Sequence, residues 1–170
     1  MSHSLLNFSP ISRTRRNHGL EHATLHVLSR RFPRLSLAGI SSPRGFIILG
    51  DVTSEDVAEA AIEALKRLRA GESNLALHPN CGTNFAIPGA FAGLAGWLAT
   101  LGSDKSFKSK LERLPLALAL ATVALSLTFP LGPIIQKRFT TSGDPQGLEL
   151  ERVETCIRAG IRVHHVTTRG

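Results

Sequence analysis

Two uncharged runs constrain this chain more than any other feature. "FAIPGAFAGLAGWLATL" (85–101) has no charge in 17 residues, and "LPLALALATVALSLTFPLGPII" (114–135) has none in 22. As helices rising 1.5 Å per residue they span about 25 Å and about 33 Å, against a hydrocarbon core of about 30 Å. The connector "GSDKSFKSKLER" (102–113) is short and charged. Two spans with a tight link predict a transmembrane hairpin that returns the chain to the side it left. Two buried helices of a soluble protein are the competing reading, but neither run carries a polar face. Gly89, Gly93 and Gly96 give the first run a small-residue face for close helix approach, including a homo-oligomer.

The rest of the chain reads as secondary structure around that hairpin. Residues 1–12 read as a flexible tail. Arg13 to Arg31 reads as a helix that stops before Pro33. Two strands follow, 35–41 and 45–52, at hairpin spacing. "TSEDVAEAAIEALKRLRAGE" (53–72) reads as an amphipathic helix with Thr53 or Ser54 as N-cap and Lys66, Arg67 and Arg69 in its last turns. Past the hairpin, 136–147 reads as a loop, 147–160 as an amphipathic helix and 161–169 as a strand that joins the first two. The expected fold class is α+β: a small soluble helix-plus-sheet domain with the two-helix hairpin inserted before the last helix and strand. The expected divisions are 1–12, 13–84, 85–135 and 136–170.

The net charge of +7 suits nucleic acid or anionic lipid heads equally. With no Tyr, one Trp and no Gly-rich phosphate loop, nucleic acid is disfavoured and the lipid bilayer is the expected partner. The common nucleotide and serine-hydrolase signatures are absent. Cys81 and Cys156 are too few for a disulfide framework and read as thiols. No signal-peptide pattern opens the chain. Lys/Arg residues fall on both sides of the runs, Lys105, Lys108, Lys110 and Arg113 in the connector among them, so the positive-inside rule splits. The thiols and the missing signal peptide favour both termini in the cytoplasm.

Chemistry concentrates in "HGLEHATLH" (18–26). On a helix, with His18 at the origin, His22 falls at about 40°, His26 at about 80° and Glu21 at about −60°. Leu20, Ala23, Val27 and Leu28 fall on the opposite face. His18 and His22, one turn apart, are placed to bind one metal ion, and Glu21 beside them is placed as general base for an activated water. This H-x-x-E-H pattern inverts H-E-x-x-H and is the signature of inverted zinc peptidases. A solvated face of exposed histidines is the competing reading, with His26 a third ligand, a relay or merely exposed. "LHPNCGTNF" (77–85) offers His78 and Cys81, both competent ligands, or else a simple turn built on Pro79, Asn80 and Gly82. His164 and His165 sit on a strand and face opposite ways, so at most one reaches a shared site.

"HGLEHATLH" followed by "HPNCGTNF" and an apolar helix resembles a bacterial membrane family of unknown function. The YqhQ-like proteins in that circle are described as predicted metal-dependent enzymes. The match runs through His18, Gly19, Glu21, His22 and Thr24, then His78, Pro79, Cys81, Gly82, Thr83 and Phe85, about a tenth of the chain. It implies a metal site built across both motifs and no known substrate. Residues 35–76 have no counterpart in that pattern, and the YqhQ-like proteins carry more membrane segments.

Three functions therefore compete. One is a membrane-bound hydrolase holding a divalent metal, zinc by donor type, with Glu21 as base and an unknown substrate. Another is a non-enzymatic membrane protein stapled by a structural metal. The third is a metal-free basic module on a lipid surface, its histidines tuned near neutral pH.

Overall fold

The computed structural model describes residues 6, 8–102 and 106–170. Residues 1–5 and 7 of the expected tail and Lys105 of the connector lie outside them. The chain divides into two compact units, Met1–His78 with Lys137–Gly170, and Pro79–Gln136.

The first unit is α+β, a four-stranded sheet covered by helices on one face. Helix α1 (Ser9–Arg31) starts four residues before the expected Arg13, with Pro10 in its first turn, where a missing N–H costs nothing. Strands β1 (Ala38–Ser42) and β2 (Gly45–Leu49) form the expected hairpin. Helix α2 (Ser54–Arg69) opens on a capping box. Thr53 Oγ1 accepts from the Asp56 N–H and Asp56 Oδ2 accepts from the Thr53 N–H, each at 3.1 Å. That settles Thr53 as the cap, and the Thr53 hydroxyl, donating to Asp56 Oδ2 at 2.6 Å, with the Thr53 N–H holds the Asp56 carboxyl below its ordinary range.

Residues 147–160 are not a helix. Strand β3 (Glu149–Arg158) pairs antiparallel with β4 (Ile161–Arg169). The turn between them uses Ala159 at φ 49° and Gly160 at φ 79°, the paired positive angles of a two-residue hairpin. A bulge between Leu150 and Arg152 explains the misreading. It shifts the phase so that Leu150 and Val153 lie opposite Thr168 and Val166, hence on one face. Two apolar residues three apart on a face then mimic a helical stripe. The last strand joins the first two as expected, and the sheet order is β1-β2-β4-β3, antiparallel throughout.

The core lies between the helices and the sheet. Leu20, Val27 and Leu28 of α1 meet Val57, Ala61 and Leu68 of α2 and Phe46, Ile48 and Val166 of the sheet. Each fully buried Leu, Ile or Val contributes about 1.5–3 kcal/mol relative to exposure. Arg31 reaches Glu59 at 3.0 Å and Glu63 at 2.7 Å on α2. These pairs are exposed and contribute little beside the core.

The second unit is helical. It comprises α3 (Thr83–Thr100), α4 (Phe107–Glu112), α5 (Leu114–Thr128) and α6 (Leu131–Ile135). Helix α3 packs against α5 and α6. Gly96 faces Ala117 and Ala121 of α5, while Gly89 and Gly93 meet open space. Gly132 of α6 lies so close to the backbone of Asn84 that a Cβ would collide. Arg113 caps α3 from the connector, its guanidinium donating to the Leu101 carbonyl at 3.1 Å.

The second apolar run is not one straight rod. It breaks at Phe129–Pro130, because proline lacks the N–H and crowds the preceding turn. Leu114–Thr128 and Leu131–Thr140 meet at 46°. Among the described residues no single helix is long and apolar enough to cross a membrane, and this bent pair passes by length and composition.

Candidate metal centre

The polar face of α1 is where the sequence-predicted residues collect, and backbone carbonyls organise it. His18 Nδ1 donates to the Thr140 carbonyl at 2.9 Å, and His22 Nδ1 donates to the Ala76 carbonyl at 2.8 Å. A carbonyl only accepts, so Nδ1 carries the proton in both neutral rings and Nε2 carries the lone pair. Metal-ligating histidines show this arrangement, one nitrogen tied back to a carbonyl and the other presented to the ion. Ring nitrogens of His18 and His22 come within 4.8 Å of each other, and the ring centroids stand 4.3 Å apart.

His26 uses its ring the other way. Its Nε2 donates to the Leu77 carbonyl at 2.8 Å, which leaves Nδ1 as the lone-pair nitrogen. His78 joins the row, 5.6 Å from the His22 ring and 5.0 Å from the His26 ring. Four of the predicted histidines thus form one file along α1 and the segment after α2. His22 is buried, and the other three are half-buried.

Glu21 reaches β1. The residue is 3% exposed, and its carboxylate accepts a hydrogen bond from the Ser41 hydroxyl on that strand. Gly39 on the same strand makes room for it, since a Cβ there would collide with the Glu21 carboxylate. A buried carboxylate held by a hydroxyl is firmly positioned. The glycine of the motif also has a packing cause. At Gly19 a Cβ would run into the Ser142 carbonyl, so the motif's second position must be bare for α1 to approach residues 141–143. Thr24 turns inward and its hydroxyl donates to the Leu20 carbonyl at 2.8 Å.

Cys81 belongs to the second unit, three residues past His78. Cys81 and Cys156 are thiols with no disulfide between them. Cys156, expected on a helix, lies on β3 opposite Val163.

His164 and His165 face opposite sides of the sheet as expected. His164 is fully buried on the helix-covered face, its Nδ1 bonded to the Thr155 hydroxyl at 2.7 Å. Burial pushes its pKa below the ordinary histidine value. It is a core histidine, remote in chemistry from the file on α1.

Sequence reasoning missed Ser41 and the three acceptor carbonyls. The carbonyls have no side-chain signature. Ser41 was visible only as one hydroxyl on a strand.

Residues 13–153 match the family model Domain of unknown function (DUF6391). An uncharacterized protein of Picosynechococcus sp. is 36% identical over 166 residues, covering 91% of this chain and 78% of the relative. No solved structure matches. A model covering both histidine motifs, together with a relative aligned over nearly the whole chain, establishes that this protein belongs to the DUF6391 family.

Proposed function

We propose that this protein is a membrane-anchored metal protein in which His18, His22 and Cys81 hold one divalent cation. The observation that carries it is the pair of Nδ1–H···O=C bonds on His18 and His22, which present two Nε2 lone pairs one helical turn apart. Two imidazoles and a thiolate form a donor set suited to zinc. Cys81 is within a three-residue reach of His78, which already lies in the histidine file. Three protein donors leave a fourth position open, the pattern of catalytic zinc sites.

Hydrolysis is the reaction this supports, with the substrate unassigned. A bound divalent cation would supply Lewis acidity and a lowered water pKa. Glu21 would accept the proton, and Ser41 would hold its carboxylate in place. That same Ser41 bond also favours a second reading, a purely structural metal with Glu21 fastening α1 to β1.

The membrane assignment rests on the two apolar runs, the bent pair and the chemistry of α5. Thr122, Ser126 and Thr128 each donate to a carbonyl four residues back, at 2.8, 2.9 and 2.6 Å. Every hydroxyl on that helix is thereby satisfied within it, as hydrocarbon demands. The resemblance to YqhQ-like proteins supports both halves of the proposal. Both termini are assigned to the cytoplasm.

Metal content of detergent-purified Glu21→Gln and His22→Ala proteins tests the reading. His22→Ala should be empty and Glu21→Gln should retain the wild-type content. An empty Glu21→Gln protein would make Glu21 a ligand or a fold partner and leave the hydrolase without its base.

A further inference from the structure

A second site lies in the first unit, apart from the histidine file and independent of any metal there. Arg15, Arg69 and Lys137 line a cleft of about 490 Å³ together with Ser73, Ser142 and Asp144. None of the ion pairs among the described residues includes those three cations. The contrast on α2 is direct. Arg67 pairs with Glu72 at 2.6 Å and Glu63 at 3.7 Å, whereas two residues on, Arg69 donates only to the Leu148 carbonyl at 2.8 Å. Arg15 donates to the Arg138 and Thr141 carbonyls at 3.1 Å each, and its Nε is buried with no partner among the described residues. Carbonyl oxygens orient a guanidinium without neutralising it. Asp144 makes no ion pair with any of the three, its Oδ1 accepting from the Gln146 N–H at 2.9 Å, and one carboxylate against three cations leaves the cleft with a net positive charge of about two.

The wall of the cleft is fixed in advance. The Ser142 N–H donates to the Arg15 carbonyl at 2.9 Å, and the Ser142 hydroxyl to the Asp144 carbonyl at 3.0 Å. Gly143 presses on Ser73 so closely that a Cβ would collide. Three like charges gathered at a preorganised cleft repel one another unless an anion joins them. Planar guanidinium forks with an ammonium and hydroxyls match a phosphate's oxygens.

We propose that this cleft binds a phosphate group. A lipid headgroup is the source that the membrane assignment favours, since Lys137 lies in the second half of the bent apolar pair. Free phosphate is the other source, and it does not depend on that assignment.

Calorimetric titration of the full-length protein in zwitterionic detergent tests this with two probes, short-chain phosphatidylglycerol and inorganic phosphate. The wild type should bind at least one. Lys137→Gln should weaken that binding about fivefold, and Arg69→Gln with Lys137→Gln on the order of thirtyfold. Arg152→Gln, an exposed cation outside the cleft, should leave it unchanged. Losses seen with phosphatidylglycerol alone identify a headgroup site, and losses seen with inorganic phosphate identify a free-phosphate site. Should the double variant fail to melt cooperatively, Lys137→Gln decides alone, because that exposed side chain supports no packing. No binding of either probe, or equal losses in Lys137→Gln and Arg152→Gln, overturns the proposal.

Discussion

Leu20 in α1 and Leu127 in α5 are the same side chain treated in opposite ways. Leu20 is fully buried, and Leu127 is 75% exposed. The pattern extends to the two units. The first turns most of its leucines and valines inward and, Arg16 and Glu21 apart, its charges outward. The second exposes Leu94, Trp97, Leu118 and Val123 along α3 and α5. In water the second arrangement forfeits the burial that stabilises the first; in hydrocarbon it forfeits nothing. Under the membrane anchoring proposed above the two units meet two solvents, and their responses to mutation should differ accordingly.

The largest expected effect breaks the comparison most cleanly. Leu20→Ala should lower the stability of the first unit by about 3–5 kcal/mol, through lost transfer energy and the cavity left behind. Leu127→Ala should cost under about 1 kcal/mol in detergent, where the side chain is solvated either way. Urea unfolding of both variants checks this, and equal losses would place both leucines in one kind of core.

Gly19→Ala comes next. A methyl group there collides with the Ser142 carbonyl, and the shift of α1 should cost about 1–3 kcal/mol. Gly89→Ala in α3 meets no atom within 4 Å and should be neutral or slightly stabilising. Thermal melts of the pair separate a glycine required by packing from one that is not.

Thr53→Ala removes the cap of α2 and should cost about 1 kcal/mol. The smallest effect is pH dependence from His164. Burial lowers its folded pKa beneath the unfolded value of about 6.5, so the unfolded chain binds the proton more tightly. The stabilisation is fully present above that unfolded value and is lost as pH falls through it towards the lowered folded pKa. Wild type should therefore lose stability relative to His164→Gln between pH 7.5 and pH 5.5 in equilibrium unfolding.

What the residues disclosed beforehand follows from how local the causes are. The cap of α2, to within the pair Thr53 and Ser54, and the span of β4 were legible because a cap and a β-branched run act within a few residues. The helix expected at 147–160 failed because one bulge near Glu151 placed Leu150 and Val153 on a common face, and bulges leave no residue-level mark. The straight second span failed at Pro130, which was visible but outweighed by the length of the run. At the candidate centre, the file of His18, His22 and His26 was legible from helical spacing. The direction of Glu21 was not, because it depends on Ser41 and Gly39, twenty and eighteen residues away on β1. Nor were the carbonyls of Ala76, Leu77 and Thr140, since where they fall is decided by the whole fold.

Cobalt substitution of the detergent-purified protein, read by electronic absorption, tests the central claim most directly. With His18, His22 and Cys81 as ligands, one Co(II) per chain should give tetrahedral d–d bands and a thiolate-to-cobalt charge-transfer band. Cys81→Ser should remove the charge-transfer band while weakening the d–d bands, and His22→Ala should remove both. A wild-type protein that takes up no cobalt, or whose spectrum is unaltered by Cys81→Ser and His22→Ala, would contradict the account.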